Sequence, residues 1–167
     1  EGFFFFFFLP FISRSQIDKT YNNVRALGVK AQGQHKLYEY TLELSSSGRN
    51  FLDWFPGPEM ATSFGVRPLG LTDGKYGNLL IGGAFNAGNA EGKYDIGMGY
   101  IDYEYKRFNS TFEYGVADGS NGSTGYTTNK SEGFNETLAY RITKRLQALV
   151  RYDYFDPNKD KYNDLRQ

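Results

Sequence analysis

Apolar and polar residues alternate with period two over most of the chain. Residues 38–45 put Tyr38, Tyr40, Leu42 and Leu44 on one side and Glu39, Thr41, Glu43 and Ser45 on the other. Residues 146–154 put Leu146, Ala148, Val150, Tyr152 and Tyr154 opposite Gln147, Leu149, Arg151 and Asp153. The same alternation runs through 25–33, 110–117 and 135–142, and more weakly through 61–67, 78–86 and 94–105. Side chains on a strand point to opposite faces in turn, so this is a strand pattern; no segment holds a 3.6-residue helical period between caps. The pattern predicts about eight strands, each near the 9–11 residues that a tilted membrane strand needs. Gly97 and Gly99 interrupt the alternation of 94–105, which predicts a bulge or a small-residue face there.

The connections alternate in character. Residues 34–36, 106–109 and 143–145 are tight turns, with 68–76 intermediate. Between them fall the long stretch 46–60, the Gly/Asn-rich 87–93, the Gly/Ser/Thr/Asn-rich 118–133 and the polar 156–164. An antiparallel up-and-down meander, trimmed at one end and elaborated at the other, has this signature. Transmembrane barrels have it too, with short periplasmic turns and longer outside loops. The Greek-key crossovers of a soluble sandwich would break the order.

The faces sharpen the expectation. Opposite the apolar side stand Lys30, Glu39, Glu43, Arg67, Glu113, Arg141, Arg151 and Asp153. An Arg or Lys facing lipid at mid-depth costs roughly 2–4 kcal/mol, so these charges must meet water or one another. Apolar residues toward hydrocarbon and ionic ones toward a wet interior satisfy both requirements, and barrel closure pairs the backbone groups. Two other readings share the pattern. One is a membrane barrel acting as a scaffold or sheath for a partner protein. The other is a soluble β-barrel or sandwich binding carbohydrate or lipid, because a soluble sheet with one wet face also alternates.

Composition narrows the classes further. The 167 residues include 15 Phe, 14 Tyr and 20 Gly, with no Cys and a single His. The 19 basic and 19 acidic residues cancel, which argues against nucleic acid held on a basic face. Mean hydropathy is −0.57, and no apolar stretch reaches the roughly 20 residues of a membrane helix. The longest apolar run, Phe3 to Leu9, lacks the basic flank and cleavage site of a secretory signal. It reads as an internal strand end before Pro10.

The stretch Ala139-Tyr140-Arg141-Ile142-Thr143-Lys144-Arg145-Leu146-Gln147, followed by Val150-Arg151-Tyr152-Asp153-Tyr154-Phe155-Asp156-Pro157-Asn158, resembles the late strands of bacterial outer-membrane porins. It looks most like the porin-like group that includes the phosphate-selective porins. Residues 78–86 and the turn Pro68-Leu69-Gly70-Leu71 are similar to that group as well, so the likeness spans 61–164. It implies a larger barrel of about 16–18 strands, often trimeric, in the outer membrane among lipid and lipopolysaccharide, passing small solutes passively. The chain departs from a full porin in ending at Asp164-Leu165-Arg166-Gln167, at the apparent start of another strand and without a terminal aromatic. Residues 1–167 are therefore expected to be one barrel domain, incomplete at both ends. Phosphate selectivity is not implied, since no matching Arg/Lys loop cluster is present.

Catalytic and metal chemistry find little footing. His35 sits in a tight turn, at the trimmed end of the meander, and a barrel hydrolase needs it near the opposite opening. With one His and no Cys a zinc site is not expected. Asp156-Pro157-Asn158-Lys159-Asp160 begins like a calcium loop, but Lys161 replaces the glycine and Gln167 the final Glu, so it reads as turn chemistry. Gly74-Lys75 and Gly92-Lys93 lack the spacing of a phosphate loop. The Asn-x-Ser/Thr triplets at Asn109, Asn121, Asn129 and Asn135 are accidents of Asn-rich loops.

The expectation is thus an all-β transmembrane barrel of the porin type: no enzyme, no cofactor, no metal, and a water-filled path for small polar or ionic solutes. The pore-lining candidates are Lys30, Glu43, Arg67, Glu113, Arg141, Arg151 and Asp153. Arg141 and Arg151, on neighbouring strands, would form part of a basic wall that Glu113 and Asp153 offset, leaving weak selectivity at most. Asp53, Trp54 and Phe55 lie in an aromatic, Pro-rich stretch, and are expected either to narrow the pore or to pack on a rim or neighbouring subunit.

Overall fold

A computed structural model describes residues 28–46, 57–89, 92–120 and 129–159. Among them eight strands follow one another: β1 (Gly28–Gln34), β2 (Tyr38–Ser46), β3 (Pro58–Val66), β4 (Asn78–Asn89), β5 (Lys93–Tyr105), β6 (Phe108–Asp118), β7 (Lys130–Arg141) and β8 (Gln147–Asp156). They form one sheet in the order β1 to β8, and every neighbouring pair is antiparallel. No described residue is helical. The up-and-down meander expected from the alternation is therefore the observed architecture.

Some strand ends differ from expectation. β3 starts at Pro58, β4 runs to Asn89, and β7 starts at Lys130, inside what reads as loop. Pairing to the neighbours extends these strands where side-chain alternation has faded: Glu59 pairs with Gly88, and Asp118 with Lys130. Of the bulge or small-residue face expected near Gly97, it is the second that is found, because pairing is unbroken on both sides of β5. Gly97 and Gly99 form a small-residue patch with Gly83 on one face. The run Phe3 to Leu9 and residues Asp53, Trp54 and Phe55 lie outside the described residues.

The turns have local causes. Lys106 and Arg107 link β5 to β6, with Lys106 at φ 54°. Between β3 and β4, successive bonds from Gly70 N–H to Arg67 O, Thr72 to Leu69, Lys75 to Thr72 and Gly77 to Gly74 coil the chain tightly. Gly74 (φ 78°) and Gly77 (φ 88°) take backbone angles that favour glycine. After β8, the Asn158 N–H donates to Asp156 Oδ1 at 2.9 Å, an Asx turn in the stretch that superficially starts like a calcium loop.

Among the described residues nothing is stacked on either side of the sheet, yet its faces differ. On β2 the apolar residues are exposed, Leu42 at 49% and Leu44 at 58%, while Glu39, Thr41 and Glu43 are half-buried. A lone sheet shelters one face only by curling, so the polar face is the concave one. Its strands are also staggered. One paired row passes through Glu39, Gly65, Gly82, Tyr100, Glu113, Asn135 and Asp153. It begins one residue from the turn end of β2 (Tyr38) and finishes six from the turn end of β8 (Gln147). Such stagger accompanies strand tilt in a curled sheet.

Candidate functional site

The concave face carries the chemistry. Each of Lys30, Glu43, Arg67, Glu113, Arg141, Arg151 and Asp153 falls on it by register or contact. Lys30 on the edge strand faces Glu43 across the β1–β2 pair. Arg67 Nη2 meets Glu39 Oε2 at 2.5 Å, and its Nη1 donates to Asn78 Oδ1 at 3.0 Å. Asn135, only 2% exposed, donates through Nδ2 to the Glu113 carboxylate. Arg151 lies 3.9 Å from Asp153 and 3.4 Å from the Thr137 hydroxyl. Asp102 Oδ1 accepts from Asn109 and Thr111.

Arg141 and Arg151 do not form a wall. Arg141 pairs with Gln147 and Arg151 with Thr137, two same-face positions away, or about 13 Å along the strand. Arg141 stays exposed at the turn end, while Arg151 is drawn to Asp153.

Sequence reasoning missed two tyrosines that reach across glycines. Tyr94 donates to Glu59 Oε2 at 2.7 Å from two strands away, and Asn86 Nδ2 donates to Oε1 at 2.8 Å. Gly88 lies between them in the row, and a Cβ there would sit 2.6 Å from Tyr94 Cζ. Tyr100 lies over Gly82 in the same manner; its hydroxyl comes within 3.1 Å of where a Cβ on Gly65 would be. The signal was available: glycines at same-face spacing on β4, opposite tyrosines at same-face spacing on β5. Tyr94 also joins Ile96, Ala117 and Phe155 in a small apolar cluster, with Met98 against it. The concave face is thus polar through its middle and apolar near the loop end.

At the turn end a cleft of about 710 Å³ opens between the β1–β2 turn and the β3–β4 connection, lined by Gln34, His35, Lys36, Arg67, Gly70 and Asn78 among others. His35 stacks on Tyr38 with centroids 5.1 Å apart, and its Nδ1 accepts from the Leu37 N–H at 3.4 Å. Among the described residues no group of three His, Cys, Asp or Glu is placed to hold a metal ion.

Apart from Glu136, the convex face is largely apolar between a charged loop rim and an aromatic turn rim. At the loop rim Lys130 lies 3.8 Å from Asp118, and Lys159 Nζ 2.6 Å from Glu132 Oε2. That hydrogen bond with Glu132 holds the Lys159 ammonium above its ordinary pKa. At the turn rim stand Tyr38, Tyr76, Phe108 and Tyr140, all exposed. Fold and faces together define a class: an all-β chain in one curled antiparallel meander, polar inside and apolar outside. Compared with protein-family models, curated proteins and solved structures, the chain shows no match.

Proposed function

We propose that this chain is part of a bacterial outer-membrane porin, whose concave face lines a water-filled path for small polar or ionic solutes. The observation that carries the reading is the inversion of the usual arrangement. Leu42, Leu44, Phe64, Val116 and Val150 stand exposed on the convex face, while paired charges are sheltered on the concave one. A soluble sheet would bury the first set and wet the second. Apolar rows flanked by aromatic and charged rims suit a bilayer. Buried Arg67 Nε, Asn86 Oδ1 and Asp153 Oδ1, all on the concave side, have no protein partner among the described residues, and lumen water would satisfy them.

The charge balance gives the path a sign. The described concave face carries four cations, Lys30, Arg67, Arg141 and Arg151. Against them stand seven carboxylates: Glu39, Glu43, Glu59, Asp102, Glu104, Glu113 and Asp153. The net charge of −3 favours cations mildly. This goes beyond the near-neutral balance expected from the sequence, because Glu59, Asp102 and Glu104 join the lining. In planar bilayers the protein should give ohmic conductance steps, with a zero-current potential on the cation side in a KCl gradient. Arg151→Glu should deepen that preference and Glu113→Lys should reduce it. Absence of conductance from folded, inserted protein would refute the reading.

A further inference from the structure

The convex face holds one charge out of place. Its paired row runs Tyr38, Val66, Ile81, Ile101, Phe112, Glu136, Tyr152, so an acid interrupts a line of apolar residues. Phe134 and Leu138 flank it on its own strand. Glu136 is exposed, and among the described residues no ion pair or hydrogen bond reaches its carboxylate. Glu132, two same-face positions nearer the rim, contrasts with it: Lys159 and the Tyr114 hydroxyl both hold that carboxylate.

Depth makes the difference matter. Glu136 is six residues from Lys130 and five from Arg141. At a 45° tilt these are about 14 Å and about 12 Å of membrane thickness, which is mid-depth in an apolar band about 25 Å tall. A Glu side chain cannot snorkel that far. An ionisable group at such a place calls for a partner inside the membrane.

The surroundings select the partner. Phe134 packs against Phe112 (centroids 6.1 Å apart), Tyr152 (5.7 Å) and Tyr154 (5.5 Å), so a continuous aromatic surface borders the carboxylate. Carboxylate beside aromatic faces suits a guanidinium, which pairs bidentately, stacks on rings and is weakly hydrated. Among its described residues, a second copy of this chain inserted with the same orientation brings none to that depth. Among the described residues the convex-face cations Lys93, Lys130 and Lys159 lie at the loop end, and Lys106, Arg107, Lys144 and Arg145 lie in the turns.

We infer that the convex face of β6–β8 is a docking surface for another membrane-embedded protein segment that presents an arginine at mid-depth to Glu136. The inference rests on the membrane reading above. The test uses the protein reconstituted in phosphatidylcholine vesicles and, as probe, a fluorescent Leu/Ala transmembrane peptide carrying one central Arg. Energy transfer should report association about tenfold tighter than for the same peptide with Leu at that position. Glu136→Gln should abolish the difference, whereas the rim variant Glu132→Gln should keep it. Conductance should survive Glu136→Gln, because Glu136 lies outside the path. Equal binding of both peptides, or a preference that Glu136→Gln leaves intact, overturns the inference while leaving the porin reading standing. Glu136-dependent self-association without a peptide preference also overturns it and gives the face to a second copy. Failure to enter vesicles removes the membrane reading and this inference together.

Discussion

Leu42 and Thr41 are consecutive residues at the middle of β2, on opposite faces of the sheet. Replacing each in turn by Arg asks which face meets lipid. Leu42 is convex and 49% exposed; its paired neighbours are Ala31 and Thr62. If that face meets hydrocarbon, Leu42→Arg places a guanidinium four residues from either end of the strand, near mid-depth. The cost is about 2–4 kcal/mol, or about 30-fold to about 1,000-fold in the folded fraction. Thr41 is concave and half-buried beside Gln32 and Ser63. Among the described residues no hydrogen bond reaches its hydroxyl, and the bond that Thr62 donates goes to the Thr41 backbone carbonyl, which the substitution keeps. An Arg there has polar neighbours and solvent, so the change should stay within about 0.5 kcal/mol.

A soluble sheet reverses the ranking. In water a half-exposed Leu exchanged for Arg changes stability by only about 0.5 kcal/mol, while a guanidinium forced into the sheltered side costs more. The assay is equilibrium unfolding by guanidinium in phospholipid vesicles, with folded protein read from its heat-modifiable gel mobility and by circular dichroism. Leu42→Arg should shift the midpoint strongly and Thr41→Arg hardly at all. Thr41→Arg costing as much as Leu42→Arg, or more, would refute the orientation of the sheet and everything built on it.

Three further outcomes follow from particular contacts. Gly88→Ala should cost about 1–3 kcal/mol by pushing the Tyr94 ring off the strand, whereas Gly92→Ala, with open space around it, should be near neutral; the same unfolding titration checks both. Tyr94→Phe removes one of the two donors to buried Glu59 and should cost about 1–3 kcal/mol, with little further loss when Glu59→Gln is added, as a double-mutant cycle will read. The Lys159–Glu132 pair raises the lysine pKa, so its contribution is complete below the ordinary lysine pKa and disappears as pH rises through the raised one. An NMR titration of Lys159 should give a midpoint that falls on Glu132→Gln, and an unchanged midpoint would remove the pair.

Strand number, order and facing were legible because they depend on a period-two pattern that any half-exposed sheet must obey. Lys30, Glu43, Glu113, Arg151 and Asp153 share a face simply because of parity. What was illegible depends on neighbours that parity does not specify. The spacing of Arg141 from Arg151 follows from the offset between β7 and β8, fixed by a turn that pairs Arg141 with Gln147. The roles of Tyr94 and Tyr100 depend on which glycines lie beside them on the adjacent strand, a property of register rather than composition. Glu136 was hidden for a third reason. It sits within a segment whose other same-face residues, Leu138 and Tyr140, satisfy the pattern, and one acid does not cancel an alternation.

The tyrosine case points to a principle of construction in this sheet. Glycine on β4 is where the concave face gives up its own side chains so that β5 can extend long ones across it, and the result is cross-links spanning three strands rather than two. Among the described residues no second layer opposes the curled sheet to hold its curvature. Links between next-nearest strands supply that restraint, since Tyr94 can reach Glu59 only while β3 and β5 lean toward each other over β4. The apolar cluster around Ile96 and Phe155 adds a second restraint from β5 to β8. Rigidity therefore comes from inside the curve, and the convex face is left free to carry whatever its surroundings demand.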